Sequence, residues 1–132
     1  MSTTYTIPNI NREGRTCDPT EIIRQIGKMN LWAISGGRWG SLRDAEQNTI
    51  GVWLPCGRGR MVEISLDFDD TYRVRCVRRV LRGAQRNQGI IETEVVGIYC
   101  DQVGEVAYQA SCWRTNNYQK KIASQVADSA TV

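Results

Sequence analysis

Apolar and polar positions alternate over three consecutive stretches in the middle of this chain. From Thr49 to Pro55 the inward set is Ile50, Val52 and Leu54. From Met61 to Asp67 it is Val62, Ile64 and Leu66. From Thr71 to about Leu81 it begins Tyr72, Val74, Cys76. Period two is strand spacing, and each stretch has one apolar face. The turn residues between them, Pro55 through Gly59 and Asp69-Asp70, leave room only for short connections. Strands joined so closely run antiparallel, so the three predict a meander. Ile90 to Val95 is a candidate further strand.

Helical spacing flanks this block. Asp18 can cap, Pro19 suits a first turn, and Glu21 stands three residues after the cap. Ile22, Ile23, Ile26 and Met29 then form one stripe, with Asn30 as the stop. Leu31 to Ile34 reads as a short strand, and Ser35 to Ser41 as a wide glycine-rich turn. That turn lacks the lysine and spacing of a phosphate-binding loop. Val96, Tyr99, Cys100, Val103, Val106, Ala107 and Ala110 predict a second helix ending near Cys112. Gly104 falls inside it, where close packing on the sheet is expected. The fold class is α+β: an antiparallel β-meander sheet with two amphipathic helices packed on one face. Residues 1–16 are expected as a flexible N-terminal segment, 17–113 as the single domain, and 114–132 as a polar tail.

Charge changes this picture at one place. Residues 71–88 hold six arginines and no acid: Arg73, Arg75, Arg78, Arg79, Arg82 and Arg86. The first of them alternate with the apolar set, so the face turned from the helices is expected to carry a row of guanidinium groups. Arg58 and Arg60 lie just upstream. Trp53 alternates with the inward residues of its strand and is expected on the same face. The net charge is only +3, so a general affinity for polyanions is not implied. The plain alternative is a solvated face whose arginines pair with acids such as Glu63, Asp67 and Glu92.

The chain has five cysteines and no histidine. No pair has the CxxC spacing of a zinc site. Cys76, Cys100 and Cys112 read as small core residues. No metal or other cofactor is implied. No apolar run approaches the roughly 18 residues that span a bilayer. The polar N-terminus does not read as a signal peptide, so the expected location is cytoplasmic.

The segments "LWAISGG", "TIGVWLP", "VEISLDFDDTYRVRCVRRV" and "GIYCDQVGEVAYQASCW" carry a resemblance. In their order they resemble a group of small uncharacterised proteins encoded by bacteriophages and prophages. The match runs from about Ile22 to Cys112. Its most specific points are Leu54-Pro55, Asp70-Thr71-Tyr72 and Gly97 to Gln102. Where that group has "GAKNF", this chain has "GGRWG". The resemblance implies a mobile-element origin and a shared order of elements, with no catalytic signature.

Three classes of function follow. A phage-type protein could engage, and inhibit, a host or defence-system protein through an arginine and tryptophan surface, since both residues suit interface hot spots. The same face could seat a second copy of the chain as a homodimer. A nucleic-acid accessory module could use guanidinium groups spaced roughly 6.6–7 Å along a strand, near the separation of consecutive phosphates. Trp39, Trp53 and Tyr5 would add stacking surfaces. An enzyme without histidine would fall back on carboxylates, with Asp67, Asp69 and Asp70 as magnesium ligands, but "DFDDT" reads more simply as a hairpin turn. The expectation is a non-enzymatic binding protein without catalytic residues. Its contact residues are Arg73, Arg75, Arg78 and Trp53, with Arg58, Arg60 and Trp39 secondary. Replacing Arg73 and Arg75 with alanine is expected to leave the fold intact, because neither side chain should be buried.

Overall fold

The computed structural model describes residues 12–57, 59–80, 83–84 and 88–112. The elements run α1 (Pro19–Ile26), α2 (Lys28–Ser35), β1 (Gly40–Arg43), β2 (Thr49–Gly57), β3 (Arg60–Leu66), β4 (Tyr72–Arg79), β5 (Gly89–Ile98) and α3 (Val103–Cys112). The five strands form one antiparallel sheet in sequence order; β2 to β5 are the meander expected from the alternation, while β1 begins inside the expected glycine-rich turn. The connections, two to nine residues long, are too short for the crossover that a parallel pair needs.

Register explains the core. Val52, Ile64, Val74 and Val95 form one row across the sheet, and Leu54, Val62, Cys76 and Thr93 the next. All eight are buried. Ile22 and Ile26 of α1, Ile34 of α2 and Val103, Val106, Ala107 and Ala110 of α3 close over these rows. Burial of this apolar area is the main stabilising term. Tyr72 stands at the end of its strand and donates its hydroxyl hydrogen to Gln25 Oε1 at 2.6 Å, which ties β4 to α1. The class is α+β, with the helices on one face.

Several boundaries differ from the periodic reading. Leu31 to Ile34 is helical, not a strand. Gly27 (φ 88°) ends α1 and begins α2, and Gly36 (φ 66°, left-handed) ends α2. Asn30 continues the helix, donating its side-chain amide to the Ile26 carbonyl oxygen at 3.1 Å. Met29 leaves the expected stripe and is 86% exposed, because the bend at Gly27 turns α2 relative to α1. The second predicted helix begins only at Val103, since β5 continues through Ile98 beside β4. Cys100 and Cys112 are exposed instead of buried. Gly104 does lie at a close approach, but against α1 and not the sheet. A Cβ there would run into the Ile26 carbonyl oxygen and, at 2.8 Å, the Asn30 amide.

The described part of the N-terminal segment is bonded to the sheet. Arg15 N donates to Leu66 O at 2.7 Å, and Cys17 N to Thr49 O at 3.0 Å. The segment thus enters along the ends of β2 and β3. Residues 1–11 and 113–132, including Tyr5 and the expected polar tail, lie outside the described residues, as do Arg58, Arg82 and Arg86.

A charge-paired sheet face as candidate interface

The face turned away from the helices is built from the alternate positions. One row across it reads Gly40, Trp53, Glu63, Arg75, Glu94. The row beside it contains Gly51, Ser65 and Arg73. Trp53 therefore shares a face with Arg73 and Arg75, as its alternation predicted. Gly40 makes this seat possible: a Cβ on residue 40 would come within 2.5 Å of the Trp53 indole. The indole lies across β1, half-buried, and Trp39 immediately before β1 is 36% exposed.

Arg78 does not join them. The β3–β4 register is continuous from Leu66–Tyr72 to Arg60–Arg78. Five positions separate Arg73 from Arg78, and an odd step in a strand reverses the face. Arg78 and its register partner Arg60 stand on the helix side of the sheet. Both hold Glu92, Arg60 Nε at 3.0 Å and Arg78 Nε at 3.4 Å. The expected single row of arginines is two clusters on opposite faces.

On the outer face the guanidinium groups are paired with acids. Arg75 Nε donates to Glu94 Oε2 at 2.5 Å. Arg73 lies between Glu94 (3.2 Å) and Asp67 (3.3 Å). Arg12, from the N-terminal segment, reaches over the sheet to Glu63 at 3.2 Å. Glu63 and Arg12 side chains are 2% and 11% exposed, Arg75 16% and Arg73 30%. The outer face is therefore partly covered, and Arg75 is more buried than its strand position suggested. Burial pushes the Glu94 carboxyl up, but the Arg75 hydrogen bond and the Arg75 and Arg73 charges outweigh it and hold the group below its ordinary range. For Arg73, burial disfavours the charge, while Asp67 and Glu94 more than restore it.

Beside this ladder lies an open depression of about 460 Å³, lined by Glu13, Asp67, Phe68, Asp69, Arg73 and Arg75. Carboxylates outnumber guanidinium groups in this lining. Phe68 sits on the rim, in the β3–β4 turn, and is 76% exposed. The turn is held by its aspartates. Asp67 N donates to Thr71 O at 2.8 Å, and Asp69 Oδ1 accepts from Thr71 N (3.1 Å) and Thr71 Oγ1 (2.6 Å). Those bonds from Thr71 hold the Asp69 carboxyl below the usual range. Asp70 takes a positive φ of 67° and pairs with Arg15. Asp67, Asp69 and Asp70 thus have three separate tasks. Among the described residues, no three histidine, cysteine, aspartate or glutamate side chains come together as a metal-holding group.

Phe68 and Glu13 are absent from the contact residues named from the sequence. The available signal for Phe68 was its setting: the chain's one phenylalanine, placed among three aspartates in a turn where no core position exists. Glu13 carried no signal, because its place depends on where the N-terminal segment crosses the sheet. No helix among the described residues is long and apolar enough to cross a membrane. No known protein family, curated protein or solved structure matches the chain.

Proposed function

We propose that this is a non-enzymatic binding protein that engages, and inhibits, a host or defence-system protein through the outer sheet face and its depression. The observation that carries this reading is the pairing of Arg73 and Arg75 with Asp67 and Glu94 beside an exposed Phe68. Phosphate binding relies on cationic groups whose charge is available to the backbone. Here the nearest charges to each guanidinium are carboxylates, and an acid-rich lining repels a polyanion. A protein partner suits such a face better. It can place its own donors and acceptors against a fixed alternation of charge, and it can bury Phe68 as an anchor. Trp53, held flat across β1, adds a rigid apolar surface next to the ladder.

The resemblance to phage and prophage proteins is consistent with a partner in the infected cell. The test is affinity capture from such cells, in parallel with and without nuclease. The proposal expects one protein to be retained by the native chain, retained in 0.5 M salt (about the ionic strength at which exposed pairs are well screened), and lost with Phe68→Ala. Capture that disappears with nuclease, or nucleic acid retained without it and lost in high salt, would support the nucleic-acid reading instead.

A further inference from the structure

The outward face of α2 has the chemistry of an inward one. Lys28, Met29, Trp32, Ala33 and Gly36 fall at helical spacing on one side, and all are exposed. Met29 is 86% exposed and Trp32 64%. The other side, with buried Ile34 and Ser35 and half-buried Leu31, packs inward. A surface helix normally turns polar and charged side chains to water. Here Lys28 is the one polar side chain on the exposed side. It stands in the first turn, where a cation opposes the helix dipole, so helix stability does not explain it. The end of α2 is firmly built. Gly36 N donates to Trp32 O at 3.0 Å, and a Cβ on Gly37 would fall 3.6 Å from the Trp32 ring. Ser35 Oγ donates to Arg38 O at 2.5 Å, and Arg38 Nε donates to Ser35 O at 3.4 Å. The Arg38 guanidinium is thereby held at the C-terminal end of the helix.

We propose that this face docks on an anionic membrane surface, with Met29 and Trp32 entering the headgroup region and Lys28 and Arg38 meeting lipid phosphates. Charge complementarity supports that occupant. Residues 28–43 hold Lys28, Arg38 and Arg43 and no acid. None of the three stands in an ion pair among the described residues, whereas Arg73 and Arg75 on the outer sheet face are each held by carboxylates. The charge around α2 is therefore open to an anionic partner.

Shape separates a bilayer from a protein partner. Met29 stands almost wholly in solvent, so the face projects. A protein would need a groove to match it, whereas a bilayer takes in a projecting apolar side chain without one. Interfacial helices combine these residue types, with tryptophan and long apolar side chains below the headgroups and lysine or arginine among them. α2 has eight residues and is about 12 Å long, and its inward side is fixed to the core. Insertion is therefore shallow, and the membrane is touched, not crossed. The helices cover the sheet face opposite the arginine–carboxylate ladder, so that ladder stays accessible when α2 is docked. The inference does not depend on what the ladder binds.

The experiment sediments the full chain with vesicles of phosphatidylcholine, alone or mixed equally with phosphatidylglycerol. The chain should partition onto the mixed vesicles and not onto phosphatidylcholine alone. Lys28→Gln and Arg38→Gln should each weaken partition about fivefold, since a basic residue near an anionic surface is worth about 1 kcal/mol. Met29→Glu should abolish it with an unchanged circular dichroism spectrum. Tryptophan emission of the native chain should be quenched by brominated acyl chains, a result that needs no variant. Phe68→Ala, which tests the outer face, should leave partition unchanged. Absence of partition onto mixed vesicles, equal partition by Met29→Glu, or emission untouched by brominated chains would each overturn the proposal. So would a captured protein that Met29→Glu releases while the native chain ignores vesicles, since α2 would then face a protein.

Discussion

Two arginine–carboxylate pairs near the start of the described chain differ in one property, burial, and should differ in worth. Arg12 and Glu63 are almost enclosed, whereas Arg15 and Asp70 are 52% and 72% exposed. Removing one member of a buried pair strips the other of a partner in a poor solvent for ions, at about 3 kcal/mol or more. Exposed pairs contribute less than about 1 kcal/mol. Urea unfolding of Arg12→Ala and Arg15→Ala should separate them on that scale. Equal losses would mean that Arg12 does not shield Glu63. Glu94 supplies a pH signature. Its folded-state value is depressed, so its contribution is present above the unfolded value of about 4.3 and is lost as pH falls through the lower folded value. Glu94→Gln should flatten the acid limb of a stability-against-pH curve below about pH 4.3. An unchanged limb would place its ionisation outside the folding balance. The side chains also show where sequence reading stops. The alternation located Trp53, Arg73 and Arg75 on one face, but Arg78 was grouped with them despite its odd spacing. The acids expected as partners, Glu63, Asp67 and Glu92, all hold arginines, while Glu94 was not named among them. It sits across β4 from Glu63 and becomes a neighbour only once β5 is in register.

Among the elements, strands were more legible than helices. The alternation in β2, β3 and β4 is imposed by a sheet with one covered face, and it survives in sequence almost unbroken. α2 has no comparable stripe. Its KMNLWAIS segment is apolar on more than one side, and its bounds come from two glycines with positive φ, not from periodicity. The β5–α3 junction misled for a related reason. Val96 and Tyr99 fit a helical period with Val103, yet pairing with β4 claims the chain through Ile98. α3 itself depends on one small residue. Because Gly104 lies against the Ile26 carbonyl, Gly104→Ala should force α1 and α3 apart, at about 1–3 kcal/mol. Protection from hydrogen exchange should fall in both helices and remain in β2 to β4. Unchanged protection in α1 would mean that the two helices do not rest on this contact.

For the molecule as a whole, the sheet separates two kinds of charge cluster. One face carries the Arg12, Glu63, Arg73, Arg75, Glu94 and Asp67 ladder. The other carries Arg60, Arg78 and Glu92. Composition could not reveal this division, since the same arginines in one row would have made a cationic track. The central claim is that the outer-face arginines are occupied by acids and therefore do not serve a phosphate backbone. A fluorescent single-stranded oligonucleotide, titrated by anisotropy at low salt, tests it directly. The native chain should show no saturable binding, and Asp67→Asn with Glu94→Gln, which removes both acids that hold Arg73, should gain it with a steep salt dependence. Tight, salt-sensitive binding by the native chain, lost with Arg73→Ala and Arg75→Ala, would contradict the account.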